Sequence, residues 1–330
     1  MSNVACAISA CDLVHKYDDY VALDGLSLSV AAGEIFALLG PNGSGKTTFF
    51  RLVSTLLPIQ SGTISIYGAD VAQQTSAVRH LIGVVFQSNS IDGKLTVREN
   101  LHCQGMLYGL SRTERNKRIA RTAEELGVTD RLDWRVDKLS GGLARRVDIA
   151  KSLLHAPRLL LLDEPSTGLD PAARIDLWHA LESLRSNANV TVVLTTHLLE
   201  EAEKCDRIGI LHRGKPAAQG RPHELRERLG HRILTIETDL LEEVRSWLEA
   251  NDLTVKVQDQ QLRASGPNIT DLIAPLTSTF GDAVRSLSVA QPSLEDVFIA
   301  ETGHRFWDAT TEDGQSRADG SNKTKKGRRR

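Results

Sequence analysis

The chain has 330 residues, enough for about two domains of average size. Hydrophobic residues make up 41% of it and charged residues 25%, which excludes a collagen-like, mucin-like or wholly disordered chain. No apolar run approaches the roughly 18 residues that a membrane-spanning helix needs, and the first residues lack the basic end and long apolar stretch of a secretory signal. We therefore expect a cytoplasmic protein, with any membrane role depending on another chain.

The charge distribution argues against nucleic acid as a partner. The chain holds 40 Lys and Arg against 42 Asp and Glu, but residues 315–330 alone hold seven basic side chains and one acidic. The rest of the chain is therefore acidic, whereas nucleic-acid binding needs a basic face. The four cysteines are widely spread and form no CxxC pair, so we expect reduced thiols and neither a disulfide framework nor a zinc site.

The first two thirds of the sequence predict a parallel sheet with helices on both faces. Residues 4–39 have the pattern of strands and turns, a helix is expected over 46–56, and residues 96–155 are mostly helical in pattern. Short apolar runs typical of buried strands occur at 34–40, 80–86, 159–162, 190–195 and 207–211. Strands that alternate with helices in this way indicate an α/β fold.

The chain changes character near Gly220, and residues 221–302 predict a separate α+β domain. Helices are expected at 239–250 and 268–280, and a hairpin turn at Asp259-Gln260. The expected strands are 232–238, 253–257, 261–264 and 283–289. The resulting order β-α-β-β-α-β is that of a ferredoxin-like fold. Residues 303–330 are polar and end in a basic run, which predicts a disordered tail or a segment attracted to anionic lipid.

A phosphate-binding loop follows the strand at 34–40. The sequence from Gly40 to Thr47 fits GxxxxGK(S/T) and stands between a buried strand and a predicted helix, as that pattern requires. Its backbone N–H groups would surround phosphate oxygens, Lys46 would add a positive charge, and the Thr47 hydroxyl would bind Mg²⁺. The residues predicted to bind the nucleotide phosphates are Gly40, Pro41, Asn42, Gly43, Ser44, Gly45, Lys46, Thr47 and Thr48.

Two carboxylates end the leucine strand at 159–162. Asp163 and Glu164 come directly after it, at the carboxyl edge of the sheet where α/β proteins bind their ligands. We expect Asp163 to hold Mg²⁺, directly or through water. Glu164 is the candidate general base that polarises the attacking water.

Five further motifs resemble those of the ATP-binding subunits of ABC transporters. Residues 139–146, LSGGLARR, resemble the family's LSGGQ signature, and Gln87 resembles the Q-loop glutamine, a ligand of Mg²⁺. The sequence TGLD ending at Asp170 resembles the D-loop, His197 the switch histidine, and Tyr17 the aromatic residue that stacks on adenine. The resemblance implies a P-loop NTPase (RecA-like) core with an antiparallel β subdomain and a helical signature subdomain at about 95–155, all within residues 5–220.

The resemblance extends to one subfamily. The segments that follow Gln87, the arginine-rich signature and the late sequence SLEDVFIAETG are similar to ATPases of the bacterial daunorubicin-resistance type, over about residues 5–303. Those ATPases energise separate ABC-2-type membrane permeases, on the cytoplasmic face of the membrane, and export hydrophobic drugs, lipids or glycans. Leu143 replaces the usual signature Gln, and we expect ATP binding to survive this change.

The resemblance also implies a dimer, because the phosphate loop and the signature act across two subunits. Each ATP would lie between the phosphate loop of one chain and Ser140, Gly141 and Gly142 of the other. The two chains would form a homodimer, or a heterodimer with a related ATPase. Glu164 and His197 would be the catalytic residues and Asp170 would lie at the dimer contact. The C-terminal domain would serve dimerisation or regulation.

Two other classes of function compete with transport. A non-transport ABC ATPase acting on ribosomes or DNA would resemble a tandem chain or one with a coiled-coil insertion, and neither is present in this sequence. A GTPase or small-molecule kinase would lack the LSGG and D-loop motifs, and no NKxD-like guanine-binding motif occurs here.

Overall fold

The computed structural model describes residues 5–230, 232–258 and 261–306. They form two compact units, of which the first runs to Arg221 and also takes in Phe306, while the second is Pro222–Arg305. The predicted turn at Asp259-Gln260 and the predicted tail 303–330, apart from its first four residues, lie outside the described residues. In the described ranges, no helix combines the length and apolar character needed to cross a bilayer.

The first unit contains ten strands and seven helices of the described chain. The strands are β1 (Cys6–Tyr17), β2 (Tyr20–Ala31), β3 (Ile35–Leu39), β4 (Ser61–Ile66), β5 (Ala69–Asp70), β6 (Ile82–Val85), β7 (Leu159–Asp163), β8 (Thr191–Thr196), β9 (Arg207–His212) and β10 (Lys215–Gly220). The helices are α1 (Lys46–Val53), α2 (Thr75–Leu81), α3 (Val97–Leu107), α4 (Arg112–Glu125), α5 (Gly141–Leu153), α6 (Pro171–Ala188) and α7 (Leu199–Ala202).

A six-stranded sheet in the order β10-β9-β3-β8-β7-β6 forms the centre of this unit. All its strands except β10 pair in parallel, and every residue of β3, β7 and β8 is buried. Such strands are apolar along their whole length because helices cover both faces of the sheet. This confirms the predicted α/β core, and it brings the ends of β3, β7 and β8 to one edge, where ligands bind.

A second sheet, in the order β2-β1-β4-β5, is antiparallel throughout. Its inner residues and those of α1 share one hydrophobic cluster with the central sheet. The first unit therefore has the antiparallel β subdomain that the family resemblance implied.

The region predicted to be helical, residues 96–155, contains α3, α4 and α5. Each helix begins at a side-chain cap that accepts a backbone N–H: Thr96 with Glu99 in a capping box, Ser111, and Ser140. Such caps satisfy backbone donors that have no partner within the helix.

The strand predicted at 80–86 is shorter than expected, which corrects that part of the prediction. His80 and Leu81 belong to α2, where the His80 ring contacts the carbonyl oxygen of Ser76, and the strand is limited to Ile82–Val85. The boundary falls between two apolar residues, Leu81 and Ile82, so periodicity alone cannot separate the last turn of a helix from the start of a buried strand.

The second unit contains a four-stranded antiparallel sheet in the order β12-β13-β11-β14. Its elements are α8 (Pro222–Glu227), β11 (Ile233–Thr238), α9 (Leu241–Ala250), β12 (Thr254–Gln258), β13 (Gln261–Ser265), α10 (Ile269–Phe280), β14 (Val284–Ala290) and α11 (Leu294–Thr302). From β11 to β14 this is the predicted ferredoxin-like order. Apolar residues of the sheet, α9 and α10 form its own core.

Candidate active site

The loop between β3 and α1 has a backbone that only glycine allows at two positions. A Cβ on Gly40 would lie 2.4 Å from the carbonyl oxygen of Leu211, and one on Gly45, whose φ is +106°, would lie 2.5 Å from that of Ala22. The Ser44 hydroxyl is buried and has no hydrogen-bond partner within the described residues. The geometry is that of a loop that presents polar groups to a bound anion.

Lys46 is the buried cation of this loop. Its ammonium group donates to the carbonyl oxygens of Gly40 at 2.8 Å and Pro41 at 2.9 Å, and lies 3.9 Å from a carboxylate oxygen of Glu164. Burial lowers the pKa of Lys46 to about 8, against the opposing effects of Glu164 and Asp163. A phosphate group would stabilise the charged form of this side chain.

Asp163 and Thr47 supply oxygen atoms suited to Mg²⁺. Burial raises the pKa of Asp163, although the Thr195 hydroxyl donates to its carboxylate at 2.5 Å. Thr47 is exposed and lines the adjacent cleft. The described residues contain no group of three or more His, Cys, Asp or Glu side chains that could hold a metal. Mg²⁺ is usually bound by one or two protein carboxylates together with substrate phosphates and water.

Glu164 stands at the centre of the polar groups around the loop. Gln87 donates to it at 3.2 Å and Thr167 at 3.4 Å, and its backbone is left-handed, with a φ of 44°. Burial opposes ionisation of Glu164, but the pKa is nevertheless lowered because His197 and Lys46 stabilise the carboxylate. An ionised carboxylate is the form that can accept a proton from water.

His197 follows β8 and lies beside Glu164. Its Nδ1 atom is 3.2 Å from Oε1 of Glu164, but the ring is not oriented for a hydrogen bond, and this buried nitrogen has no hydrogen-bond partner in the described part of the chain. The two side chains therefore approach each other closely without a hydrogen bond between them. The predicted pair of catalytic residues is brought together by the neighbouring strands β7 and β8.

Two tyrosines line the outer part of a cleft of about 430 Å³ that extends from the loop. Tyr17 is 38% exposed and packs edge-on against His15, whereas Tyr20 is 46% exposed and donates its hydroxyl to the Gly43 carbonyl at 2.9 Å. Tyr17 is the predicted adenine-stacking residue, and the structure brings both rings to the same cleft.

The signature residues are not part of that cleft. None of the described residues that line it comes from Ser140, Gly141 or Gly142. Ser140 is exposed and caps α5 through the N–H of Leu143, so the positive end of that helix begins at the signature. A Cβ on Gly141 would meet only Leu169, at 3.9 Å, so this glycine has open space beside it.

The D-loop residue Asp170 caps α6. Its carboxylate accepts the N–H of Ala173 at 2.8 Å, and Pro171 follows as the first helical residue. Asp170 itself is exposed. Its local contacts are those of a helix cap.

Sequence reasoning missed three side chains that support the site. Thr195 donates to Asp163, Arg145 donates to backbone carbonyls at and around Glu164, and buried Glu201 accepts the hydroxyls of Ser166 and Thr196. Only the position of Thr195 at the end of an apolar strand could have pointed to it. Arg145 and Glu201 stand in charged helical sequence that is indistinguishable from a solvated face.

The six-stranded sheet, the glycine loop and the Asp-Glu pair at its edge define a P-loop ATPase, and the capped LSGG helix is typical of the ABC class. Comparison with known proteins agrees. Residues 23–167 match the sequence model of a family described as ABC transporter.

Similar proteins cover nearly the whole chain. It is 39% identical to the daunorubicin/doxorubicin resistance ATP-binding protein DrrA of Streptomyces peucetius, over 93% of this chain and 96% of that protein. It is 38% identical to the Nod factor export ATP-binding protein I of Rhizobium meliloti, over 92% and 90%. It is 35% identical to the linearmycin resistance ATP-binding protein LnrL of Bacillus subtilis, over 91% and 100%.

Solved structures share the first unit's architecture. A CbiO1 structure from Clostridium perfringens, part of an ABC transporter complex, superposes with a TM-score of 0.63 at 26% identity, covering 73% of this chain and 94% of that one. The MJ1267 ATP-binding cassette in its ADP conformation gives 0.60 at 26% identity, covering 66% and 92%.

The chain belongs to the ABC transporter family, as one of its ATP-binding subunits. The resemblance inferred from the sequence is thereby confirmed, and so is the predicted activity, an ATPase that energises export. The alternative of an ABC ATPase acting on ribosomes or DNA is not favoured.

Proposed function

We propose that two copies of this chain, or this chain and a related ATPase, enclose two Mg²⁺-ATP molecules and drive an ABC-2-type permease. The observation that supports a dimer is that the phosphate-loop cleft and the signature end of α5 are separate within one chain. The described residues that line the cleft include the phosphate loop and Glu164, whereas the exposed Ser140 end of α5 lies outside it. The terminal phosphate would complete its contacts only when a second subunit supplies that end.

The side chains of the cleft have distinct roles in hydrolysis. Mg²⁺, held by Thr47, Asp163 and Gln87, would neutralise charge on the β and γ phosphates. Lys46 binds the same phosphates from the glycine loop. Glu164 orients the attacking water and accepts its proton, and its lowered pKa keeps the carboxylate ionised for that role. His197, within 3.2 Å of Glu164, holds the γ phosphate and the water in line.

Tyr17 would stack on adenine at the outer end of the cleft, and Asp170 would contact the second subunit. When both subunits hold ATP, Ser140, Gly141 and Gly142 of each would meet the γ phosphate in the other. Loss of that phosphate removes the shared ligand, so hydrolysis reopens the dimer. The ligand shifts the equilibrium because it binds the closed state more tightly than the open one.

The helical region provides a surface for the permease. A groove of about 310 Å³ is lined by residues of α1's end, α2, β6, α3 and α5, among them Leu56, Phe86, Ser90, Gln104, Tyr108 and Lys151. Beside Tyr108, Leu107 is 83% exposed and Met106 is 55% exposed. Apolar side chains exposed at a groove are typical of a protein interface. Gln87 begins the loop that reaches from the cleft to Ser90, so it can link nucleotide and permease.

Through that permease the subunit would be peripheral on the cytoplasmic face of the membrane. The relatives are named for export of Nod factor and for resistance to daunorubicin and linearmycin. We infer a hydrophobic or amphipathic cargo of the drug, lipid or glycan type. The second unit, with its own core, would serve dimer contact or regulation.

The dimer is tested with Glu164→Gln in the full chain. This variant should bind Mg²⁺-ATP normally, lose about 100-fold or more in turnover, and elute as a dimer with ATP and as a monomer with ADP. Lys46→Ala is the control, and it should remain monomeric in both nucleotides. Normal turnover of Glu164→Gln, or an elution volume that ATP does not change, would reject the proposed mechanism.

The export role is tested by co-purification. Co-expressed ABC-2-type permease should be retained by the wild-type chain, and a charge placed beside the groove by Leu107→Glu should weaken retention without changing basal ATPase. Ribosome or DNA co-migration in place of the permease would contradict the proposal. Stimulation of ATPase by candidate cargos in the reconstituted complex would then identify the cargo class.

A further inference from the structure

Arg145 is a buried cation that donates to backbone carbonyls on the catalytic edge of the same chain and lies 4.0 Å from the carboxylate of Asp148 on its own helix. The residue is 4% exposed. Its guanidinium donates to the carbonyl oxygens of Pro165 at 2.9 Å, Phe86 at 2.5 Å, Asp163 at 3.2 Å and Glu164 at 3.4 Å. These carbonyls belong to two separate segments, the end of β7 and the residue that precedes Gln87.

The same face of α5 holds the far end of the loop that carries Gln87. Asp148 accepts both the hydroxyl of Ser90, at 2.6 Å, and its N–H, at 3.2 Å. Lys151 donates to the Ser90 carbonyl at 2.6 Å. Since Arg145, Asp148 and Lys151 follow one another at three-residue intervals, they lie along one side of the helix. The loop from Phe86 to Ser90 is therefore anchored to α5 at both ends.

We propose that Arg145 is a positioning residue for Glu164 and Gln87, an inference that rests on the proposed function. The backbone of Glu164 has a φ of 44°, a conformation that a side chain other than glycine or asparagine keeps only when its surroundings enforce it. Arg145 fixes the carbonyls on both sides of that residue. It thereby aims the Glu164 carboxylate at the water and keeps the Gln87 amide within 3.2 Å of it.

Arginine suits this position better than lysine does. Its planar group carries five N–H donors in a fixed arrangement, so one side chain can reach carbonyls on two segments, whereas a lysine ammonium places its three donors at a single point. A lysine would retain the charge but only some of the hydrogen bonds to the carbonyls of the two segments. The two substitutions Arg145→Lys and Arg145→Met should therefore give graded effects on catalysis.

The test compares kcat with the KM for ATP in the full chain. Arg145→Met should lower kcat by about 100-fold, as expected when reacting groups are misplaced by about 1 Å, and leave KM within about threefold of wild type. Arg145→Lys should lower kcat by about tenfold with the same unchanged KM. The control is Arg121→Met, because Arg121 lies on the exposed side of α4, pairs with Glu125 and should leave kcat unchanged.

Two results would overturn the proposal. One is a folded Arg145 variant with wild-type kcat, and the other is a parallel loss of kcat, ATP affinity and thermal stability, which indicates a role in folding only. If Arg145→Met does not fold, Arg145→Lys decides by the same comparison. Failure here is distinct from failure of the proposed function, since the ATP-dependent dimer of Glu164→Gln is measured with Arg145 intact.

Discussion

Gly142 at the start of α5 lies against Ala173 at the start of α6, so closely that a Cβ on Gly142 would be 2.6 Å from the Cβ of Ala173. The second glycine of the signature therefore has a packing role within one chain. We expect Gly142→Ala to lower the free energy of unfolding by about 1–3 kcal/mol, as overpacking does. Urea denaturation measures this loss, and an unchanged midpoint would show that α5 and α6 can move apart at no cost.

Gly141 should behave differently, although it is the adjacent residue. The nearest atom to its added Cβ would be Leu169, at 3.9 Å, so Gly141→Ala should leave stability unchanged or raise it by less than about 1 kcal/mol. The same methyl group would occupy the space in which a second subunit's nucleotide is expected. ATP-dependent dimerisation of Glu164→Gln should therefore weaken when Gly141→Ala is added, and equal dimerisation would argue against that arrangement.

The lowered pKa of Lys46 predicts a proton-linked affinity for ATP. Because the pKa is about 8 in the folded chain, the free site loses its positive charge above that pH, and phosphate binding must restore the proton. The Kd for ATP should rise with pH above 8, by at most about tenfold per pH unit. Equilibrium titrations between pH 7 and 9.5 check this. Lys46→Arg keeps its charge throughout and should show a flat profile.

The same shift has a consequence for folding, with a definite sign. An unfolded lysine keeps its proton to about pH 10.4, whereas Lys46 in the folded chain releases it near 8. Between these values the unfolded state binds more protons, so this residue makes stability rise with pH. The contribution of Lys46 is isolated by comparing the free energies of unfolding of the wild type and Lys46→Met at pH 7.5 and 9.5. The wild type should gain stability relative to Lys46→Met at the higher pH.

Asp170 offers a way to separate a helix cap from a dimer contact. Asp170→Ala removes the acceptor for the Ala173 N–H and should cost about 1 kcal/mol of stability, whereas Asp170→Asn keeps the cap. If the carboxylate acts at the dimer contact, both variants should lose ATPase activity to a similar extent. A loss of activity confined to Asp170→Ala would assign the residue to helix capping alone.

Glu201 links the two segments that carry Glu164 and His197. It is 5% exposed and accepts the hydroxyl groups of Ser166 and Thr196, each two residues or fewer from a predicted catalytic residue. Glu201→Ala leaves these hydroxyls without their acceptor and should cost about 1–3 kcal/mol. Glu201→Gln, which retains one acceptor oxygen, should cost less. Thermal melts and ATPase rates should fall in the same order, and equal effects would reject this account.

The sequence sufficed to predict the features that arise from contiguous residues. The loop from Gly40 to Thr47 is recognisable from the spacing of its glycines and lysine, and strands such as β7 are apolar because both faces of the sheet are covered. The juxtaposition of Glu164 and His197 could also be predicted, since both follow strands of one parallel sheet. The split order of the second unit's sheet follows from its β-α-β-β-α-β pattern.

Contacts between distant segments could not be predicted in this way. Arg145 and Glu201 are buried by neighbours far away in the chain, and nothing in their own sequence distinguishes them from surface charges. The boundary between α2 and β6 was misplaced because apolar residues suit the end of a helix as well as a strand. The sequence SLEDVFIAETG was compared with a subfamily but not predicted to be a helix. Ser293 and Asp296 nevertheless form a capping box at the start of α11.

The left-handed backbone of Glu164 sets turnover against thermal tolerance at a single position. Such a conformation costs a residue with a Cβ about 1–3 kcal/mol. Glu164→Gly should therefore give a protein that is more stable to unfolding but does not hydrolyse ATP. Directed evolution of this subunit for heat resistance alone would therefore enrich dead variants at position 164. Any such selection needs a concurrent screen for phosphate release.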